Sequence, residues 1–216
     1  MPNQDELLKF FVQYNLDVWP AQIVGYLLCG VILLAVAGRF RYSDQTVVAI
    51  LAFIWLWLGI RFFIPSAVAG WSFYFFALLF VIEGLLFAVG ATRPYLSFRF
   101  GRDPYSLTGL VLIVYAAVIY PLIGYAVGHV YPLSLTLGVF PCPTTIFTLG
   151  LLLCTSGKVP WYLLIAPGLF ALTGATSPAF GIVEDAGLFI SGLIAIPLLL
   201  YRDRAITRKS ALRAAG

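Results

Sequence analysis

The chain has 216 residues, 62% of them hydrophobic and only 10% charged, with a mean hydropathy of +0.99 and a formal net charge of +4. A soluble globular domain is nearer half apolar and a quarter charged, so a water-soluble fold is excluded and the predicted environment is lipid. The basic residues fall in short loops and a tail, so the positive charge is no argument for a nucleic-acid partner.

In lipid only helices or closed barrels satisfy every backbone N–H and C=O. The apolar stretches are continuous runs of roughly 17–21 residues, not the alternating ten-residue segments of a barrel. The predicted fold is therefore all-α: a polytopic integral membrane protein, one transmembrane domain over residues 1–216.

Residues 4–16 (QDELLKFFVQYNL) come first. Leu7, Leu8, Phe11, Val12 and Leu16 recur at helical spacing, which predicts an N-terminal interfacial helix lying on the membrane. Seven apolar runs follow, at about 19–37, 46–64, 71–91, 107–127, 143–157, 159–176 and 185–201, predicting a bundle of seven transmembrane helices. The first ends in Ala35-Val36-Ala37, which mimics a signal-peptidase site. Asp5, Glu6 and Asp17 and the lack of a basic start argue against a cleaved signal.

Alternate connections hold Arg39 and Arg41, then Arg93, Arg99 and Arg102, then Lys158, then the basic tail 202–216 with Arg202, Arg204, Arg208, Lys209 and Arg213. The opposite connections hold no Lys or Arg; Lys9 lies in the N-terminal segment and Arg61 inside the second run. The positive-inside rule then predicts N-out and C-in, with a cytoplasmic tail.

The outer ends collect the unusual residues. Arg61 lies roughly 7 Å below the outer face and Glu83 roughly 18 Å down, at ~1.5 Å rise per residue in a ~30 Å core. An intramembrane carboxyl is a functional-site candidate, or else a protonated group that only packs. Arg61 either belongs to the site or snorkels to the interface. Glu184 and Asp185 open the last helix, where the macrodipole favours acids; facing Arg61, they would pair with it or hold a cation. His129, the one histidine, is a proton-sensitive group, a ligand or an ordinary loop residue.

The stretch VFPCPTTIF (139–147) puts Cys142 between Pro141 and Pro143. Pro143 suits a first helical turn, and Pro141 forces an extended approach on Phe140. Residues 132–140 are apolar but too short to span, so they predict a half-buried outer segment feeding a helix that starts below the surface. Cys142 would then sit near the N-cap, where the dipole favours a thiolate.

Several classes drop out. Lys9, Lys158 and Lys209 lie outside the spans, so no retinal Schiff base forms within them. A sole histidine excludes bis-histidine haem within one chain. Cys29, Cys142 and Cys154 lack CxxC spacing, which excludes a cysteine-only zinc site. No Walker, HExxH or serine-elbow motif occurs, and neither a cofactor nor a metal site is expected.

At VWPAQ (18–22), YPLIG (120–124), GHVYP (128–132) and PCPTTIFT (141–148) the chain resembles a family of small bacterial multi-pass membrane proteins known only as a domain of unknown function. The resemblance implies a bacterial inner-membrane setting and carries no activity or site residues.

The expected function is a small-solute or ion transporter or channel. Its outward-facing ligand site would contain Arg61, His129, Cys142, Glu184 and Asp185, with Glu83 as a coupling group below. The expected partners are the bilayer, a small polar solute or ion, and a second copy of the chain in a homo-oligomer. The alternatives are a membrane enzyme with Cys142 as nucleophile and His129 as base, and a sensor or assembly subunit using its basic tail.

Overall fold

A computed structural model of the chain describes residues 4–66, 70–92 and 95–215, without the side chains of 209–215. Arg93 and the side chains of Lys209 and Arg213, counted above among the basic residues, lie outside the described part.

The described residues are helical except for connections and a single bridge pairing Phe98 with Thr155. The elements are α1 (Gln4–Asp17), α2 (Ala21–Gly38), α3 (Ser43–Ser66), α4 (Trp71–Thr92), α5 (Pro104–Ala126), α6 (Pro141–Leu153), α7 (Trp161–Ala175) and α8 (Ala186–Ala215). Two 3-10 turns, Ser177–Phe180 and Val183–Asp185, lead into α8.

Each of the seven apolar runs contains a helix, but among the described residues five helices are long and apolar enough to cross a bilayer. Those five are α2, α3, α4, α5 and the stretch Val183–Arg208; α6 and α7 are shorter. The cause is local. Helix α6 ends at Leu153 because the next residues are drawn into the bridge to Phe98, with the Arg99 N–H donating to the Cys154 carbonyl at 2.7 Å. Pro160 delays the start of the following helix to Trp161, and α7 is tightened to 3-10 geometry at both ends.

Helix α6 sits in the middle. Every residue in it is buried except Cys142, so its amphipathic signal is absent and its length, about 20 Å at 1.5 Å per residue, spans only part of the bundle. It lies between α5 and α8. At the α5 crossing a Cβ on Gly109 would lie 2.5 Å from the Gly150 carbonyl oxygen, and one on Gly150 would lie 2.7 Å from that of Gly109. Both positions therefore require glycine.

The C-terminus of α6 is capped by Arg202, counted with the tail in sequence but buried here at 7% exposure. Its guanidinium donates to the carbonyls of Leu153 and Thr155 at 3.1 Å each, to Thr155 Oγ1 at 2.9 Å and to the Gly157 carbonyl at 3.2 Å. A cation on free C-terminal carbonyls is the arrangement the helix dipole favours.

At the opposite end α1 docks on the bundle. Asn15, fully buried, donates to the carbonyls of Pro132 and Ser134 at 2.7 and 2.9 Å and accepts from Gln22 at 2.9 Å. Phe11 and Tyr14 meet Phe140 edge-on at centroid distances of 5.3 and 5.4 Å. This clamp holds the segment leading into α6: Leu135, Leu137, Val139 and Phe140 are all buried.

The outward faces of the long helices are apolar, with Leu34, Leu78, Val111 and Leu193 exposed. Large aromatic residues ring the ends: Trp19, Trp71 and Tyr125 at the α1 end, Trp161 and Tyr201 at the tail end.

Candidate functional site

The site lies at the α1 end and begins with an irregularity in α5. Residues Tyr115–Ile119 form a π turn. In a regular α-helix, residues five apart point about 140° away from each other; the wider turn brings Tyr115 and Tyr120 together, their rings crossing at 6.3 Å. Such π turns recur at functional sites.

Both tyrosines reach the 3-10 turn before α8. The Tyr120 hydroxyl donates to Asp185 Oδ1 at 2.5 Å, and the Tyr115 hydroxyl donates to the Glu184 carbonyl at 2.9 Å. The His129 Nδ1 lies 2.7 Å from Glu184 Oε1, and its backbone N–H donates to the Gly124 carbonyl at 2.8 Å. The Cys142 thiol lies against the Asp185 carboxyl and the Tyr120 hydroxyl, and Ser177 approaches the same carboxyl.

Two glycines make the room. A Cβ on Gly124 would sit 3.2 Å from Glu184 Oε1, and one on Gly187 would overlap the Tyr115 hydroxyl.

Glu184 and Asp185 are each 1% exposed, and the His129 side chain 9%. Adjacent buried carboxyls are costly unless protonated, paired or holding a cation. One pairing is made, to His129, yet Glu184 Oε2 has no hydrogen-bond partner among the described residues. An orphaned acceptor at such burial marks a place for a proton, a water or a ligand.

Of the expected site residues, His129, Cys142, Glu184 and Asp185 come together here. Arg61 does not join them. It lies exposed in the π turn Leu58–Phe63 of α3, and Glu184 takes His129 as its partner instead. Glu83 lies apart on α4, buried at 1% exposure with Oε1 unpartnered among the described residues. Trp55 packs on Phe80 and Phe87, which flank it one turn either way, at 4.4 and 6.4 Å.

Cys142 is the second residue of α6, after the extended N-cap Phe140 and Pro141. At this positive end of the helix the Asp185 carboxyl also faces it. Tyr115, Tyr120 and Ser177 escaped the sequence reading because a tyrosine in an apolar run reads as packing. Only a π turn, invisible to periodicity, aligns the two rings.

Groups of three or more His, Cys, Asp or Glu arranged to hold a metal ion are absent among the described residues. No curated protein and no solved structure matches the chain. A family model described as a family of unknown function, DUF6064, matches residues 4–210, and the chain belongs to that family.

Proposed function

We propose that this is a multi-pass protein of a bacterial inner membrane, N-out and C-in, that moves a proton or small cation through a site at its outer end. The observation that carries the reading is the pair of buried adjacent carboxyls, Glu184 and Asp185, with one oxygen left unpartnered. Five long apolar helices with aromatic residues at both ends support the membrane setting. A buried acidic pair there selects cations over anions, and the His129 imidazole lies within hydrogen-bond distance of it, at Glu184 Oε1.

Polar groups continue inward from the site along α6. Thr144, Thr145 and Thr148 are fully buried, and Thr145 Oγ1 is, like Glu184 Oε2 and Glu83 Oε1, without a hydrogen-bond partner among the described residues. Thr148 Oγ1 accepts from Trp55 Nε1 at 3.1 Å, and Trp55 stacks beside the turn bearing Glu83. Glu83 is then the inner proton-coupling group of the same row, whereas Arg61 stays at the outer interface.

The enzyme reading gains no support from this geometry: His129 is bonded to Glu184 while the Cys142 thiol faces Asp185 and Tyr120.

Liposomes containing the purified chain and an internal pH dye provide the test. Imposed proton, Na+, K+ and NH4+ gradients should dissipate faster than in empty liposomes. Asp185→Asn and Glu184→Gln should slow this by about tenfold or more, as loss of one buried charge contact costs at least ~1.4 kcal/mol. Glu83→Gln should remove the pH dependence. Flux no greater than in empty liposomes for all four cations would refute the proposal.

A further inference from the structure

The tail end of the molecule is a second charged surface, separate from the acidic cluster. Arg39, Arg99, Arg102, Lys158, Arg204 and Arg208 are all exposed there, as is Arg41, which lies over the Tyr42 ring at 5.3 Å. Three aspartates share this end, and each is used internally. Asp44 accepts from the Phe98 N–H at 2.8 Å. Asp103 caps α5 through the N–H groups of Tyr105 and Ser106. Asp203 accepts from Arg202 at 3.1 Å and from the Val159 N–H at 2.8 Å. Among the described residues no ion pair neutralises any of the exposed cations.

The backbone that carries these cations is also held in place. The loop carrying Arg99 and Arg102 and the loop carrying Lys158 are joined by the Phe98–Thr155 bridge, by Arg99 N–H to Cys154 carbonyl at 2.7 Å and by Ser156 N–H to Ser97 carbonyl at 2.8 Å. Beside them Trp161 is 68% exposed and Tyr201 69%. Amphipathic rings of this kind sit at headgroup level. The α1 end carries the opposite balance, with Asp5, Glu6 and Asp17 exposed against Lys9 and Arg61.

We infer that the tail end is a docking surface for anionic phospholipid headgroups, with Arg99, Arg102 and Lys158, on two bridged loops, engaging headgroup phosphate beneath the Trp161 ring. Exposed cations with no ion-pair partner among the described residues are complementary to phosphate, and their attraction to an anionic leaflet falls off within a Debye length. This inference rests on the membrane reading above and is independent of transport.

The test is thermal unfolding of the full chain in neutral detergent with added phosphatidylglycerol or phosphatidylcholine. Phosphatidylglycerol at roughly ten times its Kd should raise the apparent Tm by about 3–6 °C, and phosphatidylcholine should not. The gain should shrink at high salt and vanish in the triple variant Arg99→Gln/Arg102→Gln/Lys158→Gln, whose exposed substitutions leave the core intact. Equal stabilisation by both lipids, or a preference kept by the triple variant, would overturn the inference. So would equal stabilisation by inorganic phosphate or polyglutamate without lipid. A chain that fails to fractionate with membranes sinks the membrane reading itself; one that does so without headgroup preference sinks only this surface.

Discussion

Replacing Arg202 by methionine tests how the central helix is held. The guanidinium makes five hydrogen bonds to residues 152–157, the one to the Leu152 carbonyl long at 3.5 Å, and a sixth to Asp203. Charged hydrogen bonds contribute roughly 1.5–3 kcal/mol each, but they are not additive, and burying the cation offsets part of the gain. Removing one member of a buried charged network costs about 3–5 kcal/mol, because the carbonyls and Asp203 stay behind without their donor. For a chain of this size each kcal/mol is worth ~2–4 °C, so Arg202→Met should lower the apparent Tm by about 6–20 °C. Arg202→Lys keeps the charge but loses the planar fork, and should recover roughly half of that loss. Heating the detergent-solubilised protein and measuring the surviving monodisperse fraction by size exclusion gives the number. A methionine variant melting within about 2 °C of the parent, below the smallest shift the geometry implies, would refute the capping argument.

Gly150→Leu pushes a side chain into the Gly109 carbonyl and should cost at least the ~1–3 kcal/mol of overpacking, visible as lost folded yield. Gly124→Val crowds Glu184 and His129, so cation flux should fall while the melting profile changes little. Asn15→Leu removes the donor to the Pro132 and Ser134 carbonyls, at about 1–3 kcal/mol, and should expose α1 to limited proteolysis. Asp103→Ala should destabilise α5 by ~1 kcal/mol at neutral pH. Burial pushes the Asp103 carboxyl up, but bonds from Ser106 and the backbone N–H groups outweigh it and leave it below the ordinary carboxylate value. The stabilisation is therefore fully present above the unfolded carboxylate pKa and is lost as pH falls through the depressed folded value. The gap between parent and Asp103→Ala should close only in acid; a gap unchanged there would show that the charge is not what caps the helix.

The helical class and all seven helical runs were legible because apolar run length is a one-dimensional property. The shortness of α6 was legible too, in its two prolines and in the count of residues before Gly157. What failed was the attribution of Arg202 to a tail, since a guanidinium reaching back to carbonyls 45–49 positions earlier leaves no trace in composition. The site was half legible. Glu184, Asp185, His129 and Cys142 stood out as polar residues near helix ends, and helix ends on one side of a bundle are neighbours. Arg61 stood out for the same reason but lies exposed and outside the cluster, because sequence gives depth along a helix and not azimuth around it. Tyr115 and Tyr120 needed a π turn that no hydrophobic period announces.

Helix α6 also has a consequence for the order in which the chain assembles. Its neighbours α7 and α8, and the arginine that closes its last turn, are all synthesised after it. When α6 emerges it has α5 to pack against but no capped C-terminus and only part of its final wall. The innermost helix is thus finished by a helix made after it, and a chain ending before Arg202 would have its centre assembled but unlatched.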